Sequence, residues 1–176
     1  MDLTTLKIKA SEVDQETFLE AYRGIYEHSA WIALGAWAVR GDGGLNTVGG
    51  LHRAMMNVID TASEAGKMTL ICAHPDLAGK LAVSDELTHE SKAEQAGAGL
   101  DNCSAEEFTE FQSLNKAYKG KFGFPFIIAV KGHDRHSILA NFRARINNDR
   151  EKEFNTALEE INKIALFRLQ ALTEEE

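Results

Sequence analysis

Apolar residues recur with a helical period over most of this chain, and only two prolines, Pro75 and Pro125, interrupt the pattern. Proline breaks a helix because it lacks the N–H and its ring clashes with the preceding turn. A chain of 176 residues so poor in proline, with no repeat and no Gly/Ser linker, is expected to form one compact domain, residues 1–176, with a sizeable core. The period makes that domain all-α.

The helices can be placed in order. Asp14 caps a segment whose Phe18, Leu19, Tyr22, Ile25 and Tyr26 share a face. A second apolar segment runs from Trp31 to Val39 and stops at the loop Gly41-Asp42-Gly43-Gly44. Val48, Leu51, Met55, Val58, Ile59 and Ala62 form the next stripe, expected to close at Gly66. Ser104-Ala105-Glu106-Glu107 reads as a capping box for a helix with Phe108, Phe111, Leu114 and Tyr118 inward, ending at Gly120 or Gly123. Ser137 precedes Ile138, Leu139, Phe142 and Ile146, and a last long helix from about Asp149 carries Phe154, Leu158, Ile161, Ala165 and Leu172. Two apolar runs, 68–72 and 124–130, fit no helical stripe. Two such runs scarcely make a sheet, so they read as buried extended or helical pieces.

Charge and cysteine content narrow the partners. The net charge is −8 without any long basic run, which argues against nucleic acid and against an anionic membrane surface. An anionic small substrate would have to be caught by a few local cations. Cys72 and Cys103 are too few for a disulfide framework, which points to a reducing compartment. The first residues show no basic stretch followed by an apolar run, and no segment approaches ~18 consecutive apolar residues, so the cytoplasm is the expected location.

Three places break the local pattern. Arg168 falls on the apolar face that carries Ile161, Ile164 and Ala165. Its guanidinium stays charged, so it must snorkel, pair with a carboxylate, or face an anionic ligand. His74 opens the run His74-Pro75-Asp76-Leu77-Ala78-Gly79-Lys80. Pro75 disfavours helix at residue 74, placing an imidazole suited to proton transfer at the lip of a turn, unless it is simply a hydrogen-bonded loop histidine. Ser91, Glu94 and Gln95 lie at i, i+3 and i+4, one face of a helix, where they either line a site or are merely solvated.

Other constellations are weaker. His133 and His136 have a spacing that can bind metal, and Cys72 neighbours His74, but no further ligands stand at zinc-site spacing; no metal is called. Cys103 has no sequence-visible partner base and reads as structural.

Taken together, Ala73 to Lys80, Ser91…Glu94-Gln95 with Gly97-Ala98-Gly99-Leu100, and Lys121-Phe122-Gly123-Phe124-Pro125-Phe126 resemble one family. It is the decarboxylases of 2-oxo-4-hydroxy-4-carboxy-5-ureidoimidazoline (OHCU), which make (S)-allantoin in uric acid degradation. The similarity extends to Tyr26-Glu27-His28-Ser29-Ala30-Trp31, to Leu51-His52-Arg53-Ala54-Met55, and to Ala157-Leu158, Ile164-Ala165 and Arg168-Leu169, so it spans nearly the whole chain. Ala30 departs from it, since proline is expected after Glu-His-Ser.

The resemblance implies an all-helical fold, a homodimer, and work without metal or organic cofactor. It matches His74 to a catalytic histidine, Glu94 to an essential carboxylate and Arg168 to a substrate-holding arginine. Ser91 and Gln95 match side chains lining the site. Pro75 and the backbone of Phe126, Ile127, Ile128, Ala129 and Val130 match the remaining wall. The chemistry suits these residue types: a carboxylate beside a ring C=N can release its electrons into that imine, so the sink a cofactor would supply is already in the substrate. Three other readings stand beside this one: a sister reaction on a related ring, a helical binding or regulatory module without turnover, and a metal-dependent hydrolase using His133 and His136.

Overall fold

The structure, a computed structural model, describes residues 2–41, 43–78 and 88–173. Asp42, Gly79 and Lys80 of the sequence motifs lie outside the described residues. Among the described residues there are eight α-helices and no β-strand beyond the isolated bridges Thr5–Thr47 and Leu6–Thr173. None of these helices is long and apolar enough to cross a membrane. The chain divides into two compact units, one comprising residues up to 73 with those from 161 onward, the other residues 74–160.

In the first unit, helices α1 (Gln15–Tyr22), α2 (Ala30–Ala38), α3 (Val48–Asp60) and α4 (Glu64–Cys72) follow one another. Asp14 caps α1 by accepting from Thr17 N, and Thr47 and Ser63 cap α3 and α4 in the same way. The inward face of α1 carries Phe18 and Tyr22, with the Phe18 ring 5.0 Å from that of Trp37 on α2. Backbone bonds from Leu6 N to Asn46 O (2.9 Å) and from Lys7 N to Leu172 O (3.0 Å) hold the amino-terminal segment on this unit.

Two boundaries differ from the periodic reading. The stripe through α3 ends at Asp60, and Gly66 sits inside the first turn of α4, donating to Ser63 Oγ. The run 68–72 is therefore the end of a helix, and its β-branched and sulfur side chains had masked the period. Ala30, where proline was expected, is the first residue of α2, the position at which proline is best tolerated; the departure therefore leaves the helix start unchanged.

The second unit contains α5 (His89–Gly97), a 3₁₀ turn at Leu100–Asn102, α6 (Ala105–Phe122), α7 (Arg135–Arg145) and the first part of α8 (Arg150–Gln170), whose remainder belongs to the first unit. The capping box at Ser104 and Glu107 is present, and α6 runs through Gly120 to stop at Gly123, whose φ of 82° closes the helix without the steric cost a side chain would carry. Helix α7 starts earlier than the apolar pattern alone shows: Asp134 is its cap, and Ser137 answers as the third residue of a second capping box.

Tyr118, Phe122, Phe124, Phe126 and Phe142 form the core of this unit, with Phe126 stacked on Phe142 at 3.9 Å. Residues 124–130 are buried and lie outside any helix or strand. Buried backbone groups must still be paired. Arg145 Nη1 donates to Ile127 O (2.7 Å), and Ala129 N donates to Glu160 Oε2 (2.8 Å).

Arg145 is itself held by Glu153, which is fully buried. Glu153 accepts from Arg145 Nη2 (2.9 Å), from Asn148 Nδ2 (2.6 Å) and from the Tyr118 hydroxyl. Burial pushes its carboxyl up, but these hydrogen bonds and the guanidinium charge outweigh it and hold Glu153 below its ordinary value.

Removing the Glu153 carboxylate should leave a buried guanidinium unpaired, so Glu153→Ala is expected to lose about 3–5 kcal/mol of stability in urea unfolding. Because the folded-state pKa is depressed, this contribution is complete above the ordinary value of 4.5 and disappears as pH falls through the lowered one. Unfolding curves collected from pH 6 down to about pH 3 should therefore be steeper in pH for the wild type than for Glu153→Gln.

Candidate functional site

The second unit gathers most of the residues singled out by sequence. His74 and Pro75, both half-buried, follow the end of α4 as the chain enters an irregular turn. Thr88 caps α5 by accepting from Ser91 N (3.2 Å). On the helix so started, Ser91 and Gln95 are buried, Glu94 is half-buried, and Lys92 and Ala93 are exposed. A face whose hydroxyl and carboxamide are buried is not a merely solvated one.

One bond joins the two elements. Gln95 Oε1 accepts from Ala78 N (3.2 Å), four residues beyond His74. With its oxygen engaged by an N–H, the other end of the Gln95 carboxamide is a donor. Ala78 has φ of 49°, the left-handed region that an alanine occupies at a cost of about 1–2 kcal/mol and only where surrounding bonds impose it.

Those bonds come from α6, which sequence reasoning did not assign to the site. Gln112 Nε2 donates to Ala78 O (3.0 Å), Asn115 Nδ2 donates to Leu77 O (2.9 Å), and Lys119 Nζ pairs with Asp76 Oδ2 at 2.8 Å. A signal was present: Asn115 lies four residues after Phe111 and three before Tyr118, on the apolar face of the helix, and is buried. It breaks that stripe as Arg168 breaks its own. Residues 126–130 are buried in the same unit, and the Tyr118 ring on α6 packs 5.3 Å from that of Phe126.

Arg168 stands in the first unit and is buried with Glu27. Its Nη1 lies 3.1 Å from Glu27 Oε2, and 3.3 and 3.4 Å from the carbonyl oxygens of Gly24 and Ile25. Of the three readings open for this arginine, pairing with a carboxylate is therefore realised. Glu27 was visible only as part of the segment around Tyr26-Glu27-His28, and its next residue, His28, has a φ of 46°. The turn from Gly24 to Ser29 is thus shaped around a guanidinium.

The remaining candidates have ordinary partners. His133 Nδ1 is 3.1 Å from Ser137 Oγ, and His136 Nδ1 is 3.2 Å from Glu107 Oε1. Among the described residues no three His, Cys, Asp or Glu side chains are grouped to hold a metal ion. Cys103 donates to Leu100 O, and burial pushes its thiol up from the ordinary value.

A family model described as OHCU decarboxylase matches residues 11–170. The chain belongs to the OHCU decarboxylase family. It is 41% identical over 163 residues to the 2-oxo-4-hydroxy-4-carboxy-5-ureidoimidazoline decarboxylase of Halalkalicoccus jeotgali, covering 93% of this chain and 89% of that one. The protein of the same name from Haloferax volcanii is 38% identical, covering 92% of each chain. Among solved structures, an (S)-allantoin synthase superposes with a TM-score of 0.72 at 30% identity, over 94% of this chain and 54% of that chain. An OHCU decarboxylase crystallised in the presence of (S)-allantoin superposes with a TM-score of 0.69 over 86% of this chain and 96% of that one; at 22% identity it speaks for the fold alone. In OHCU decarboxylase terms, the all-helical architecture read from the periodicity is the architecture of the family.

The Arg168–Glu27 pair gives a stability prediction separate from any activity. Arg168→Ala should take the guanidinium away from the buried Glu27 carboxylate and cost about 3–5 kcal/mol in chemical unfolding. Arg168→Ala combined with Glu27→Ala should recover much of that loss, whereas two independent sites would simply add.

Proposed function

We propose that this chain converts OHCU to (S)-allantoin and carbon dioxide in urate breakdown without metal or organic cofactor, with His74 and Glu94 handling protons and Arg168 holding the substrate. By family it is a carboxy-lyase. The observation that carries the residue assignment is the Gln95–Ala78 bond, which ties the helix bearing Glu94 to the turn bearing His74.

The reaction asks little beyond orientation and proton traffic. The C4–carboxylate bond breaks, its electron pair forms the C4–C5 double bond, and the former imine nitrogen takes the displaced pair and a proton. The C4 hydroxyl of the resulting enol then loses its proton as C5 gains one, which leaves the C4 carbonyl of allantoin. Delivery to one face of C5 yields one enantiomer. His74 bonds the C4 hydroxyl or the departing carboxylate and manages its proton. Glu94 works on the opposite side, at a ring nitrogen or at C5.

The other contacts follow from donor inventory. Gln95 offers N–H to a ring or ureido oxygen because its own oxygen is engaged by Ala78 N. Ser91 adds a buried hydroxyl, Pro75 and the backbone of Phe126–Val130 complete the wall, and Arg168 supplies the cation that an acidic chain must place locally. Assembly as a homodimer and residence in the cytoplasm complete the proposal; light scattering after gel filtration tests the first.

OHCU generated in situ from urate by the two preceding activities, with allantoin followed by circular dichroism, tests the reaction. Formation of (S)-allantoin should accelerate on adding this protein, and no gain over spontaneous racemic decay would leave a binding module without turnover. His74→Ala and Glu94→Ala should each lower turnover by about 10²–10⁴-fold with the helical spectrum intact. Wild-type rates in both would remove the assignment.

A further inference from the structure

We infer that Gln112, Asn115 and Lys119 of α6 are positioning residues for the reaction, acting through the turn that carries His74. The inference rests on the assignment of His74 to proton transfer made above. The three side chains recur at i, i+3 and i+7, one face of the helix. Passing along α6, they meet Ala78, Leu77 and Asp76 in turn, so a helix face is laid antiparallel along three consecutive residues of the loop.

A turn that leaves a helix and contains proline has few backbone bonds of its own. Here its groups are taken by side chains instead. Ala78 is gripped at both ends, its N–H by Gln95 of α5 and its carbonyl by Gln112 of α6. This double hold imposes the positive φ of Ala78 and sets the path of the chain three residues after Pro75. The proline ring restricts the residue before it, so the backbone at His74 has little freedom left once residues 76–78 are anchored.

The geometric consequence reaches Glu94. Gln95 is its neighbour on α5, and the chain of bonds from α5 through Ala78 to α6 relates the two helices to the histidine turn. Loss of the α6 contacts would loosen the backbone path of the turn that carries His74 while leaving α5 in place. Small misplacements of a proton-transfer group can cost about 10²-fold in rate. Substrate binding through Ser91, Gln95 and Arg168 would change little. A purely structural role would lower stability without this division between turnover and binding.

The test uses the half-buried Gln112 and the exposed Lys119, whose replacement should leave the fold intact, and spares the buried Asn115. Values of kcat and KM are measured on OHCU formed in situ for Gln112→Ala, Lys119→Met and the double variant. Lys119→Arg serves as the conservative replacement, exposed Lys116→Met as a control on the same helix, and His74→Ala runs in parallel. We expect kcat to fall about 10-fold in Gln112→Ala and about 100-fold in the double variant, with KM within about twofold. Lys119→Arg should keep most of the activity, and in ¹⁵N-histidine spectra of the double variant the His74 ring signals should move. Wild-type kcat in the double variant, or a loss carried by KM alone, with His74→Ala inactive, would overturn the positioning role and leave that of His74 standing. Full turnover by His74→Ala would instead overturn the reading on which the inference rests.

Discussion

Irregular backbone buried in an all-helical protein has no neighbouring strand to take its hydrogen bonds, and that constraint organises what surrounds the candidate site. Each unsatisfied buried N–H or C=O costs free energy comparable to a lost hydrogen bond. The turn at 76–78 and the irregular run at 124–130 both face this problem, and both are met by polar side chains reaching from helices. Gln95, Gln112 and Asn115 serve the first, Arg145 and Glu160 the second. The helices are consequently not polar-out and apolar-in without exception. They carry polar residues, buried at Gln95 and Asn115 and half-buried at Gln112, Arg145 and Glu160, where these two segments have to be held.

The same residues connect support with chemistry. His74, proposed for proton transfer, must be fixed in orientation although it lies on a segment outside any helix. Such a segment becomes rigid only when its surroundings over-determine it, as they do at the positive φ of Ala78. Glu94 gains its place differently, from a regular helix started by the Thr88 cap. Arg168 uses a third device, a carboxylate and two carbonyl oxygens gathered by a tight turn around its guanidinium.

Legibility in the sequence followed the range of the interaction involved. Helix starts at Asp14 and Ser104 were readable because a cap and its partner lie within three residues. The start of α7 was displaced because its apolar stripe begins at Ile138, four residues after its cap, Asp134. The stop at Gly123 was ambiguous with Gly120, since either could close the helix and only the dihedral distinguishes them. At the site, the histidine turn and the Ser91/Glu94/Gln95 face were readable as oddities of spacing. Their partners were not: the bonds from Gln112 to Ala78 and from Arg168 to Glu27 span 34 and 141 residues of sequence.

By itself, then, the sequence determined the helical class, most helix positions, the family and the chemical types at the site, because period, capping and motif spacing are short-range properties of the chain. Tertiary structure decided which polar residues are buried and what they hold. It made Gln95 the link between α5 and the histidine turn, set Asn115 beneath Leu77, and gave Arg168 its carboxylate. Those outcomes depend on which distant groups are left needing a hydrogen bond once the core has closed, and that demand exists only in the folded chain.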